Sequence, residues 1–417
     1  MSTLAKPIPW RRPGTLRATG LLALLTADGA RGLLVLALSL LYIAGPLFVY
    51  AAVGEREEYL ALAAQSALAI AGIYAGSRIA WLDRRVAGHA PKLVINASTY
   101  VAVVGALFIG YILLTLITAP SIPLLSAIAG SDANSLSGER GEFLKGRTGP
   151  WLALLYLSSI FTCSLVPYCI VFAYACKNRF RHVLALAFLL FAVSFLVKVL
   201  FLNLLIPVLA YTLDSARLKK KHLLYAGGAA LMLILTMISL AGYGADDSAA
   251  FNLADFFSVS FTSSSSWQFL VYRSLAVPIF TAVDTLVVHA TQFGGVLLKG
   301  ATSGLVATLT GQERINLERL VFEYQFGGWN DFGNANVVFV VDAFVNFGWS
   351  GVFVFGLLVG LSLRMFRRSS DPAFRALAPL YAFLLVFSPF IGMLFSNGFL
   401  LIFLQILFIK VRHHERR

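Results

Sequence analysis

The stretch 183–213, VLALAFLLFAVSFLVKVLFLNLLIPVLAYTL, is a near-continuous apolar run with one lysine, Lys198, at its middle. A single membrane span takes about 20 apolar residues, so the run is too long for one ordinary crossing and short for two. Its flanks decide the reading. CKNRFRH precedes it at 176–182 and DSARLKKKH follows at 214–222, and the bias of Lys and Arg toward cytoplasmic loops places both flanks on the inner side. The chain must therefore go out and come back between them, with Lys198 at the tip of a hairpin. Arms of about 15 residues reach only about 23 Å at 1.5 Å per residue, less than the roughly 30 Å of hydrocarbon. The tip is therefore expected below the outer surface, at the floor of a water-filled or protein-lined cavity.

Composition agrees with a membrane setting. Of 417 residues, 59% are hydrophobic and 13% charged, where soluble domains carry about 45–50% and about 25%. With a mean hydropathy of +0.80, this rules out a soluble globular enzyme. Apolar runs read as further spans at about 32–53, 60–81, 94–118, 151–175, 223–243, 349–366 and 376–396, with a shorter closing run at 399–411. The hairpin arms bring the total to about ten transmembrane segments in one all-α polytopic domain spanning residues 1–417. The basic N-terminal arm has no small-residue cleavage site after its first apolar stretch, so it is expected to stay in the cytoplasm.

The net charge of +13 is a topology signal rather than a mark of nucleic-acid binding. In this arrangement the inner parts hold 24 Lys and Arg and 5 Asp and Glu, and the outer parts 9 and 15. Two outward loops are long, the first at 119–150 and the larger at 244–348. The larger contains FFSVSF, YRSLAVPIFTAVDTLVVH, GGVLLKG and ANVVFVVDAFVNFG, apolar stretches broken by Gly, Pro and single charges, which are expected to form re-entrant or interfacial helices. Function is expected on this outer face.

Cations kept at apolar positions cost about 2.5–3.5 kcal/mol each at a helix centre, and a bound anion would offset that. The outward candidates are Arg140, Lys145 and Arg147 in GERGEFLKGRTGPW, Lys198 at the hairpin tip, Arg273, and Lys299 after a Gly-rich run. Arg grips phosphate oxygens bidentately and Lys supplies a compact charge, which together suit a diphosphate. Candidate bases are Asp284, His289, Asp331 and Asp342, with Glu323 as an alternative. His289 is the one histidine on the outer side, and Asp342 is an acid inside an apolar helix where burial raises a carboxyl pKa. Cys163, Cys169 and Cys176 lack the partners of a zinc site and read as inert. No metal-ligand, serine-hydrolase or nucleotide-binding pattern stands on the outer side, so no metal and no cofactor is expected.

The order of a basic hairpin tip at Lys198, YRSLAVP, LLKGATS and NANVVFVVDAFVNFGWSGVFVFGLLVG resembles the bacterial O-antigen and oligosaccharide repeat-unit polymerases of the Wzy type. The resemblance covers roughly residues 130–365, and its last block, with Asn346, Phe347 and Gly348 entering a Gly-rich span, is the most specific part. Where the family's tip carries Arg after Gly-Ser, Val197 and Lys198 stand here, which leaves open the cation that grips the diphosphate.

The resemblance implies a GT-C-like inner-membrane protein working as an inverting, metal-independent glycosyltransferase at the periplasmic face. The donor would be a glycan on undecaprenyl diphosphate and the acceptor another lipid-linked repeat unit, with a chain-length regulator and a flippase as partners. The substrate-binding candidates are Lys198, Arg273, Arg140, Arg147, Lys299 and Asn336. An O-antigen ligase, for which an outward His such as His289 is typical, and a lipid-linked sugar flippase are the alternatives.

Overall fold

The computed structural model describes residues 20–54, 56–88, 91–131, 133–215, 228, 251–328 and 331–412, and these are mostly helical. Among them six helices are long and apolar enough to cross a membrane: α1 (Ala30–Ala52), α2 (Glu57–Gly76), α3 (Ala97–Ile117), α4 (Gly149–Ala175), α5 (Ser266–Phe293) and α6 (Phe339–Arg368). The chain is a multi-pass membrane protein. Five of these helices fall on expected spans; the expected span at 223–243 lies outside the described residues.

Helix α5 departs from expectation. The stretch YRSLAVPIFTAVDTLVVH, expected as a re-entrant or interfacial helix of the 244–348 outward loop, is instead part of one helix of span length, Ser266–Phe293. The reason recurs elsewhere. Five-residue π turns at Leu40–Ala44, Phe161–Leu165 and Tyr272–Ala276 each end two residues before a proline, Pro46, Pro167 and Pro278. A proline ring inside a regular helix collides with the carbonyl four residues back, and a widened turn at that carbonyl lets the helix continue.

Helices α2 and α6 form the central pair and run parallel. A methyl group on Gly76 would come within 1.9 Å of the Leu357 carbonyl oxygen, and one on Gly360 within 2.1 Å of that of Ile73. Gly72 and Gly356 are equally tight, at 2.5 Å from Phe353 O and 2.4 Å from Ala69 O. Small residues four apart on both helices thus bring the backbones into direct contact, the packing that works without a hydrophobic drive between helices in lipid. At the ends of both helices Arg364 grips Asp83 through Nε at 2.8 Å and Nη2 at 2.6 Å, and its Nη1 donates to Ser77 O at 2.8 Å.

The hairpin at 183–213 consists of helices Arg181–Ser194 and Lys198–Asp214, of 14 and 17 residues. They are about 21 and 26 Å long at 1.5 Å per residue, joined by a turn in which Leu196 has φ 53°. At the tip Phe195 packs on Phe143 of the helix Ala133–Leu144 with ring centroids 4.9 Å apart. At the base Asp214 accepts from Arg375 at 3.4 Å. The tip therefore meets the first long loop, and the base lies at the opposite end.

Two expected spans take other forms. The run 376–396 is divided between Ala378–Leu385 and Phe390–Leu394, because Pro389 between them has no N–H to continue the helix. The starts and ends of two others become a two-stranded parallel sheet, Leu93–Asn96 on Ile409–Arg412. Asn96 then caps α3, its side chain accepting from Ser98 N at 2.9 Å.

Candidate functional site

Helix α6 is interrupted at Gly348, which has φ 66° and ψ −159°. That conformation suits glycine alone, and it separates a short leading piece, residues 339–347, from the rest of the helix. The break leaves the carbonyls of Val345 and Asn346 to accept from Leu298 N at 3.0 Å and Lys299 N at 2.9 Å. The loop 298–300 is thereby fastened alongside the leading piece, with Lys299 in the left-handed region at φ 50°.

Asp342 is buried in this piece. Its Oδ1 accepts from Thr302 Oγ1 at 2.9 Å and from Asn346 Nδ2 at 3.0 Å. Asn346 also donates to Thr302 Oγ1 at 2.8 Å and accepts from Gly300 N at 2.9 Å. One amide thus holds both the carboxylate and the loop that supplies its other donor.

Asp342 lines a cavity of about 510 Å³, within the range of about 300–1,000 Å³ usual for small-molecule sites. Its walls come from three parts of the chain. The 302–318 segment supplies Thr302, Ser303, Arg314, Asn316 and Glu318; the start of α4 supplies Tyr156; and the broken 386–398 segment supplies Ser388, Ser396 and Asn397. Leu305 and Phe395, 41% and 42% exposed, add an apolar border. Two carboxylates, one guanidinium and a set of hydroxyl and amide groups share one space.

Arg314 is exposed, and its Cδ lies 3.3 Å from where a methyl group on Gly304 would stand, so the side chain lies over that bare glycine. Glu318 is half-buried in the first turn of the helix Leu317–Phe326, and Asn316 caps that helix by accepting from Arg319 N. Burial pushes the Glu318 carboxyl above the usual carboxylate range, while Arg314 and Lys145 pull it back. Lys145 belongs to the first long loop and donates to Phe332 O at 2.6 Å, so the two long loops meet beside the site.

The other expected residues stand elsewhere. His289 is buried, and its Nε2 donates to Val296 O at 2.9 Å, closing the turn after α5. Asp284 accepts from Gln325 Nε2 at 2.7 Å. The pair does not form a dyad in this arrangement, and neither residue lines the cavity. Asp331 and Asn336 are exposed, as are Arg273 and Lys299, and none of these four lines the cavity. Arg140 donates to Leu136 O at 3.1 Å within its own helix.

Arg147 is buried and has a structural use. It donates to Phe143 O, Thr118 Oγ1 and Thr115 O, fastening the first loop to the C-terminal end of α3. Lys198 opens the second arm of the hairpin. Of the expected set, the structure thus brings Asp342 to the cavity. Arg314 and Glu318 were not singled out in the sequence, although RINLE at 314–318 is a polar interruption between the apolar blocks LLKGATS and NANVVFVV.

No protein-family model, no curated protein and no solved structure matches this chain.

Proposed function

We propose that this protein is a polysaccharide polymerase that moves a glycan from an undecaprenyl-diphosphate carrier to a sugar hydroxyl of another lipid-linked repeat unit, at the periplasmic face of the inner membrane. The observation that carries this reading is the cavity that joins Asp342 and Glu318 to Arg314. Its hydroxyl and amide lining suits sugar hydroxyls, and Leu305 and Phe395 suit the first units of a polyprenyl chain.

In this reading the acceptor hydroxyl attacks the anomeric carbon as the bond from that carbon to the phosphate oxygen breaks, inverting the centre. The electron pair leaves on the diphosphate, whose growing charge Arg314 stabilises from the exposed mouth of the cavity. The hydroxyl proton passes to Asp342, held in place through Oδ1 by Thr302 and Asn346. Glu318 beside it orients a sugar hydroxyl.

The test uses the full-length protein in nanodiscs with an undecaprenyl-diphosphate-linked repeat unit. A glycan ladder on a gel is expected from the wild type and none from Asp342→Asn. Full-length ladders from Asp342→Asn would remove the cavity from the reaction, and no lengthening by the wild type would remove the reading itself.

A further inference from the structure

A second pocket, of about 400 Å³, lies between the end of α4 and the hairpin base. It is lined by Val171, Tyr174, Lys177, Arg181, Tyr211 and Thr212, with Val208 at its apolar side. Tyr156 of the first cavity and Tyr174 of this pocket sit on the same helix, 18 residues apart. At 1.5 Å per residue that separation is about 27 Å, close to the roughly 30 Å of a bilayer's hydrocarbon. The two pockets therefore lie near opposite ends of α4, about one hydrocarbon thickness apart, a separation that suits headgroup depth for this one.

Its charge is unbalanced. Lys177 and Arg181 line it, and among the described lining residues there is no carboxylate. Asp214, the acid of the hairpin base, is engaged by Arg375. Arg181 donates Nε to His182 at 3.1 Å and lies with its guanidinium carbon 5.6 Å from the centre of the Tyr174 ring, a placement that leaves its terminal amino groups for another acceptor. Tyr174 and Tyr211 are the amphipathic side chains favoured where hydrocarbon meets headgroups.

We infer that this pocket binds the phosphate headgroup of an anionic phospholipid, gripped by Lys177 and Arg181 between Tyr174 and Tyr211. Basic recesses between helices bind such lipids through charge and fit together. The inference is independent of the reaction proposed for the first cavity.

The experiment measures the melting temperature of the full-length protein in phosphatidylcholine nanodiscs with and without phosphatidylglycerol. Phosphatidylglycerol should raise it, and Lys177→Gln should weaken the apparent lipid affinity about fivefold. Lys177 is exposed, so this variant should fold. Arg179→Gln, a neighbouring cation outside the lining, should keep the wild-type lipid response. An equal loss in Arg179→Gln, or none in Lys177→Gln, would overturn the site. The same rise from inorganic phosphate in phosphatidylcholine alone, at matched ionic strength, would assign the pocket to a free anion and overturn the lipid.

Discussion

Asn346 stands one helical turn after Asp342, and its Nδ2 lies 3.0 Å from Asp342 Oδ1 and 2.8 Å from the Asp342 carbonyl oxygen. Because the same side chain accepts from Gly300 N, the geometry of the carboxylate and the path of the 298–304 loop depend on one residue. Asp342→Asn keeps the shape and removes the proton acceptor. Turnover in the nanodisc assay should fall about 10²- to 10⁴-fold with donor binding intact. Asn346→Ala should lower both turnover and melting temperature.

Arg314 and Arg147 should separate binding from folding. Arg314→Ala removes a charged donor from the cavity mouth and should lower kcat/KM for the lipid donor tenfold or more, with the melting temperature little changed, since charged hydrogen bonds contribute about 1.5–3 kcal/mol. Arg147→Ala leaves Thr115 O at the end of α3 without its donor. It should lower the melting temperature and leave the KM of the surviving folded protein near wild type.

The raised pKa of Glu318 has a definite sign. Above the ordinary carboxylate range and below the raised value, the folded protein binds more protons than the unfolded chain, so stability falls as pH rises through that window. Glu318→Gln should flatten this part of the curve of melting temperature against pH. A curve identical to wild type would show that Glu318 titrates normally.

Asp83 behaves oppositely. Hydrogen bonds from Arg364 hold its carboxyl below the usual range. The stability this pair contributes is present above the unfolded value near pH 4 and is lost as pH falls through the folded one. Asp83→Asn should lower the melting temperature at neutral pH and reduce the loss on acidification.

Gly76→Leu and Gly360→Leu would each place side-chain atoms where a backbone carbonyl of the partner helix already stands. Overpacking of this kind costs about 1–3 kcal/mol even where side chains can yield, and a backbone yields less. Both variants should lose folded protein in size-exclusion profiles, whereas Gly110→Leu, at a glycine with open space around it, should not.

The membrane setting, five of the long helices and the two-armed hairpin are legible in the amino-acid order alone, because hydropathy and helix rise act locally along the chain. That order also marks Asp342 and the block ending at Gly348, where an acid and a left-handed glycine interrupt an otherwise apolar run. The surroundings of Asp342 come from folding alone. Thr302, Arg314 and Glu318 reach it through a folded loop, and Ser388, Ser396 and Asn397 through a helix broken at Pro389. Such convergence depends on packing between segments distant in the chain, which leaves no periodic trace. Local reading also took YRSLAVPIFTAVDTLVVH for a re-entrant or interfacial piece rather than part of a span-length helix, because a proline looks the same in sequence whether it breaks a helix or follows a π turn that absorbs it. Arg147 and His289 read as available chemistry; only the tertiary contacts showed that the Arg147 guanidinium is already bonded and that His289 Nε2 is engaged by Val296 O.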